Sequence, residues 1–113
     1  MTVAGEVLPS PGIRMGLRFE WDVRKARTNL AKHGVTFEDA RTVFGDPLSL
    51  TVGDQQQDAD EFRFVTVGLT ESGRLVVVAH TERGHTIRII SARAADRREK
   101  KAYEEGQDDR GRT

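Results

Sequence analysis

Apolar and charged residues alternate from Leu17 to Trp21, which puts Leu17, Phe19 and Trp21 on one face of a short strand. The period then lengthens. Asp22 offers a carboxylate to cap a helix in which Val23, Ala26, Leu30 and Ala31 recur at helical spacing, and Gly34, just past His33, suits the left-handed turn that ends it. Thr36 caps a second helix, with Asp39 three residues on as a shorter stand-in for the Glu of a capping box. Phe37, Ala40, Val43 and Phe44 supply its apolar stripe, and Gly45-Asp46-Pro47 stops it. From Leu48 onward the period drops to two. Leu48–Val52, Phe62–Leu69, Arg74–Thr81 and Thr86–Ala92 read as strands rich in Val, Ile, Phe and Thr. A polar loop from Gly53 to Glu61 joins the first two, and Gly-containing turns at Ser72-Gly73 and Arg83-Gly84 separate the rest. Such short connections mean antiparallel hairpins, because a parallel crossover needs about a dozen residues or more. Ala94 to Glu105 is rich in helix formers, with Ala95, Arg98, Ala102 and Glu105 on one side.

The pattern therefore predicts an α+β fold: an N-terminal strand and two short helices packed on one face of a four-strand antiparallel meander, plus a C-terminal helix. The helices are expected to bury Trp21, Leu30, Phe37, Val43 and Phe44, and to leave the other face of the sheet open. Alternation along Thr86–Arg93 puts Ile87, Ile89 and Ser91 on one face and Arg88 and Ile90 on the other, which makes part of the open face basic. Residues 1–14, with Gly5, Pro9, Ser10, Pro11 and Gly12, carry no periodicity and read as a flexible arm ahead of a single domain spanning residues 15–105, with residues 106–113 as a disordered tail. Met15, where the patterned sequence begins, is the expected natural start.

Composition narrows the classes. The chain has 113 residues and no cysteine, which excludes a disulfide scaffold and a thiolate metal site. No apolar run approaches the roughly 20 residues of a membrane helix, and the N-terminus lacks the basic and apolar regions of a secretory signal, so a cytoplasmic protein is expected. The formal net charge is +0, which at first argues against a nucleic-acid partner. By segment, however, Lys+Arg minus Asp+Glu is −1 for residues 1–13, +3 for 14–45, −5 for 46–62, +5 for 63–103 and −2 for 104–113. A basic body is masked by an acidic loop and an acidic tail.

The motifs occur in an ordered set: Phe19-Glu20-Trp21-Asp22, Asn29-Leu30, Lys32-His33-Gly34-Val35, Phe37 and Ala40, Asp46-Pro47, Glu61-Phe62-Arg63-Phe64, Gly68, His80-Thr81-Glu82-Arg83, and Ile87-Arg88-Ile89-Ile90-Ser91-Ala92-Arg93 through Glu99 and Tyr103. That set, covering nearly all of residues 17–105, resembles the BrnT family. The resemblance implies a RelE-like fold and a type II toxin that acts as a ribonuclease and is neutralised by a co-transcribed BrnA-type antitoxin. It further implies that the antitoxin carries a DNA-binding ribbon-helix-helix segment, that the complex represses its own operon, and that toxin and antitoxin assemble 2:2.

Metal-free RNA cleavage needs a group to take the proton from a 2′-hydroxyl, cations to stabilise the phosphorane-like transition state, and an acid for the leaving oxygen. Arg suits the middle role because its planar fork grips two phosphate oxygens. Arg83, Arg88 and Arg93 are the expected phosphate clamp, each with a surface ion pair as the competing reading, and His80, with Glu82 two residues on and on the same face, is the leading acid/base. A hydrogen-bonded strand-end histidine is the alternative for His80. His85, in a turn, reads as exposed. Arg63, Lys25, Lys32, His33 and Tyr103 are the expected RNA-binding residues, Tyr103 having amphipathic packing as its other reading. No metal and no cofactor are expected: the three histidines have no zinc spacing, and Asp54, Asp58, Asp60 and Glu61 lack the pattern of a calcium loop. Two functions remain, an endoribonuclease toxin that inhibits translation and growth, and a non-catalytic nucleic-acid-binding subunit of a DNA-bound autorepressor complex.

Overall fold

The computed structural model describes residues 16–53 and 62–111, with side chains described to residue 106. The expected arm, the loop carboxylates Asp54, Asp58, Asp60 and Glu61, and the last two residues lie outside the described residues. The elements run β1 (Arg18–Glu20), α1 (Val23–His33), α2 (Phe37–Ala40), a 3-10 helix (Arg41–Gly45), β2 (Leu50–Gly53), β3 (Arg63–Leu69), β4 (Leu75–Arg83), β5 (Thr86–Ala94) and α3 (Arg97–Gly111). They form one five-stranded sheet of order β1-β5-β4-β3-β2, antiparallel except where β1 joins β5 in parallel.

The predicted caps form. The Asp22 carboxylate accepts from the amides of Arg24 and Lys25, Gly34 ends α1 at φ 71°, and Thr36 Oγ1 accepts from the Asp39 amide at 3.0 Å. A first face of the sheet, bearing Phe19, Val76, Val78, Ile87 and Ile89, meets Val35, Phe37, Ala40 and Val43, all fully or almost fully buried. Trp21 packs edge-on against Phe37. Gly68 is where the 3-10 helix comes closest to β3: a Cβ there would lie 3.0 Å from Ser49 Cβ and 3.1 Å from Val43 Cβ. A side chain at that position needs Ser49 and Val43 to give by a few tenths of an ångström.

The structure differs from the sequence expectations in several places, the first being that β1 extends the sheet in parallel beside β5 instead of packing on one face of a four-strand meander. Val23, Leu30 and Ala31 are exposed, and the residue that α1 buries is Asn29. Its carboxamide accepts from the Ala92 amide at 3.0 Å and donates to the Ala92 and Val35 carbonyls at 2.8 and 3.0 Å. β1 reaches only as far as Arg88 along β5, so Asn29 supplies hydrogen bonds to the edge beyond it. The second strand begins at Leu50 rather than Leu48, because Asp46 Oδ1 holds the Leu48 amide in a turn. The last helix starts at Arg97, after β5 has run through Ala94, and continues to Gly111, into the stretch expected to be a disordered tail. It turns Glu99 and Tyr103 inward rather than Arg98, Ala102 and Glu105, and it covers part of the second face, over β3, which was expected to stay open.

Candidate active site

The register of β5 determines which arginines can act together. Ala79 pairs with Ser91 and His80 with Ile89, leaving Ile90 as an extra residue opposite the β4 backbone. This bulge inverts the alternation of everything after it. Arg88 pairs with Thr81 and Arg93 with Val77, two positions on the same side of β4, so both arginines point to the second face. Five apart in a regular strand, they would point to opposite faces. Ser91, expected beside Ile87 and Ile89, likewise turns to the second face.

At the β1 end of that face lies a cleft of about 370 Å³ lined by Glu20, Thr81, Arg83, Thr86 and Arg88. The parallel register places Glu20 opposite Arg88, and Arg88 Nη1 donates to Glu20 Oε2 at 3.0 Å. Both side chains are nearly half exposed, so the pair is loosely held and an incoming anion competes for the guanidinium. Glu20 was not among the residues expected at the site. The alternation that sends Phe19 inward also sends Glu20 to the second face, but its meeting with Arg88 depends on a pairing between distant strands. In chemical terms the cleft offers two guanidinium forks, two hydroxyls and a carboxylate to one bound group.

Arg93 is committed elsewhere. Its two arms donate to the Glu99 carboxylate at 2.8 and 2.7 Å. Glu99 also forms a reciprocal capping box with Asp96: the Glu99 amide donates to Asp96 Oδ1 and the Asp96 amide to Glu99 Oε1. The Arg93 guanidinium holds the Glu99 carboxyl at a pKa of about 2, and Glu99 in turn raises that of Arg93. Tyr103, one turn further along α3, is buried and donates from its hydroxyl to Asp46 Oδ2 at 2.6 Å, an oxygen that also accepts from the Leu69 amide. It packs α3 against the sheet, the second of its two sequence readings.

His80 lies on the other side of the sheet. It is fully buried, its ring edge-on to Phe44 and stacked on Phe64. Its Nε2 is 2.8 Å from Thr66 Oγ1, which is 2.7 Å from Thr51 Oγ1, a polar chain crossing three strands on the first face. Glu82 does share that face, with Oε2 3.6 Å from His80 Nδ1. Of the five residues expected to be catalytic, the structure therefore brings Arg83, Arg88 and Arg93 to one face and keeps His80 and Glu82 behind it. Arg63 pairs with Thr81 and belongs to the second face by register, while His85 is exposed in the β4–β5 turn. Lys25, Lys32 and His33 border a separate groove of about 300 Å³ between α1 and β5. Among the described residues no three His, Asp or Glu side chains come together as a metal site.

A family model described as the ribonuclease toxin BrnT of type II toxin-antitoxin systems matches residues 21–99, a span that takes in Arg83, Arg88, Arg93 and Glu99. The fold is similar to the 1.1 Å crystal structure of the Brucella abortus ribonuclease toxin BrnT, with a TM-score of 0.52 and 26% sequence identity over 68% of this chain and 94% of that one. No curated protein sequence matches the chain.

Proposed function

The chain belongs to the BrnT family of ribonuclease toxins of type II toxin-antitoxin systems, and from that premise we propose that it is a metal-independent endoribonuclease whose active site is the cleft between β1, β5 and β4. The observation that carries this reading is the meeting of Arg83, Arg88 and Glu20 in one solvent-open cleft. Arg83 and Arg88 hold the scissile phosphate and stabilise the charge that builds on its oxygens. Glu20, released from Arg88 by the incoming phosphate, takes the proton from the 2′-hydroxyl as that oxygen bonds to phosphorus. The bond from phosphorus to the 5′ oxygen breaks, leaving a 2′,3′-cyclic phosphate, and the departing oxygen takes its proton from water. Arg63 meets the RNA on the flank of the cleft, and Arg93 acts by fixing α3. His80 and Glu82, expected from the sequence to be the acid/base pair, support β4 from behind.

Membership of a type II family carries an antitoxin partner with it. On this reading the partner is of the BrnA type, binds 2:2 by laying an acidic or amphipathic segment over the second face, and brings a ribbon-helix-helix segment through which the complex reaches operator DNA. Released from it, the toxin cuts cytoplasmic RNA and stops translation and growth.

The test is expression without the partner, followed by RNA cleavage assays on the purified protein with and without EDTA. Arg88→Ala lowers cleavage by about 100- to 1,000-fold, the usual loss for one transition-state donor, and leaves the unfolding temperature in place. Full cleavage by both Arg83→Ala and Arg88→Ala moves the active site elsewhere. Folded wild-type protein that binds RNA and cuts none is a non-catalytic subunit.

A further inference from the structure

β1 pairs with β5 only over Thr86–Arg88, and beyond it α1 borders the outer edge of β5. The groove between them is lined by Arg24, Lys25, Thr28, Lys32 and His33 from α1 and by Ile90 and Ser91 from β5, with Asn29 at its floor. None of these residues is acidic. Arg24, Thr28 and Lys32 follow one another at four-residue steps along one stripe of the helix, and Lys25, Asn29 and His33 form the neighbouring stripe. Arg24 and Lys32 are thus separated by about 12 Å along the helix axis. Asp22 is the nearest acid in sequence, but its carboxylate is turned to the amides of Arg24 and Lys25 as the helix cap. The contrast with the cleft is plain: there Arg88 has Glu20, here three cations face solvent with hydroxyls of Thr28 and Ser91 beside them.

The two places are neighbours. Ser91 of the groove is three residues from Arg88 of the cleft, about 10 Å along β5. We infer that the α1–β5 groove is a second RNA site, which holds the phosphates flanking the one being cut and contributes affinity without taking part in the chemistry. The inference rests on the ribonuclease reading of the cleft. The groove suits a sugar-phosphate chain because it supplies repeated cations on neighbouring stripes of one helix, the pattern that tracks a backbone without reading its sequence. The exposed apolar residues of α1, Val23 and Leu30, are not among its lining, whose one large apolar residue is Ile90.

The experiment compares wild type, Lys25→Ala/Lys32→Ala and Arg27→Ala, the last an exposed cation of the same helix outside the groove. Binding is measured by anisotropy across a salt series with a labelled single-stranded RNA that is 2′-O-methylated and so resists 2′-hydroxyl attack. Cleavage kinetics use the unmodified RNA. The double variant is expected to lower the slope of log affinity against log salt by about 1.4, that is about 0.7 for each phosphate no longer neutralised, while Arg27→Ala leaves it near the wild-type value. KM rises and kcat holds, the signature of binding shared equally by ground and transition states. If wild type cuts RNA and the double variant keeps its slope and KM, the groove inference is overturned and the ribonuclease reading stands. The groove inference is equally overturned if the double variant instead loses only its affinity for the antitoxin, which makes the groove a protein-binding surface. Wild type that neither binds nor cuts RNA overturns both.

Discussion

The Glu99 carboxylate accepts from both arms of Arg93 and from the Asp96 amide, so one side chain at once starts a helix and fastens it to the sheet. These charge-assisted bonds favour the ionised form and lower its pKa from 4.5 to about 2. Because the folded-state value lies below the ordinary one, the contribution to stability is complete above 4.5 and is lost as the pH falls toward about 2. Both partners are partly exposed, so solvent screening leaves about 1 kcal/mol. Glu99→Gln should therefore be less stable than wild type by about that amount near neutral pH, with the gap narrowing below pH ~4, as urea titrations across that range will measure. The sequence did not reveal this pairing. Asp96 and Glu99 stand at capping-box spacing, but nothing local says which carboxylate the bulged strand will meet.

At the scale of elements, caps and periods were readable and edges were not. Asp22, Gly34 and Thr36 act locally, and the helix limits they set were correct to the residue at both ends of α1. The stripe of α1 was misread because the position that most needs burial there is polar. Asn29 completes hydrogen bonds along β5 where no strand continues, a requirement set by the sheet and invisible in the helix. Replacing it with leucine leaves the Ala92 amide and the Ala92 and Val35 carbonyls unpaired and is expected to cost about 2–4 kcal/mol in unfolding free energy, measurable by denaturant titration. The bulge did leave a trace, since Ile89 and Ile90 break the apolar-polar alternation of β5. A strict period of two, carried through that break, gives the wrong face to Ser91 and divides Arg88 from Arg93.

Across the whole molecule, the zero net charge hides a division of labour between faces. The first face is covered by α1, α2 and the 3-10 helix, and two of its polar residues, His80 and Thr66, are buried in it. The second face is shared between α3, tied down over β3, and the cationic cleft at the β1 end. Tyr103 ties α3 to Asp46. Tyr103→Phe keeps its packing and loses the hydroxyl bond to Asp46, so it should lower stability by about 1–2 kcal/mol. RNA affinity measured by anisotropy should be unchanged, whereas a tyrosine that stacks on a base would keep the loss for its alanine variant alone. The basic groove along α1 was legible as residue types, yet its position one step along β5 from the cleft came only from the parallel pairing of the first strand with the last.

That pairing has a consequence in time. Glu20 and Arg88, the two sides of the cleft, are 68 residues apart in the chain. At about 5–20 residues per second, a ribosome that has just made β1 needs roughly 3–14 s more to make its partner strand. Throughout that interval the nascent chain has most of its sheet to build and no cleft.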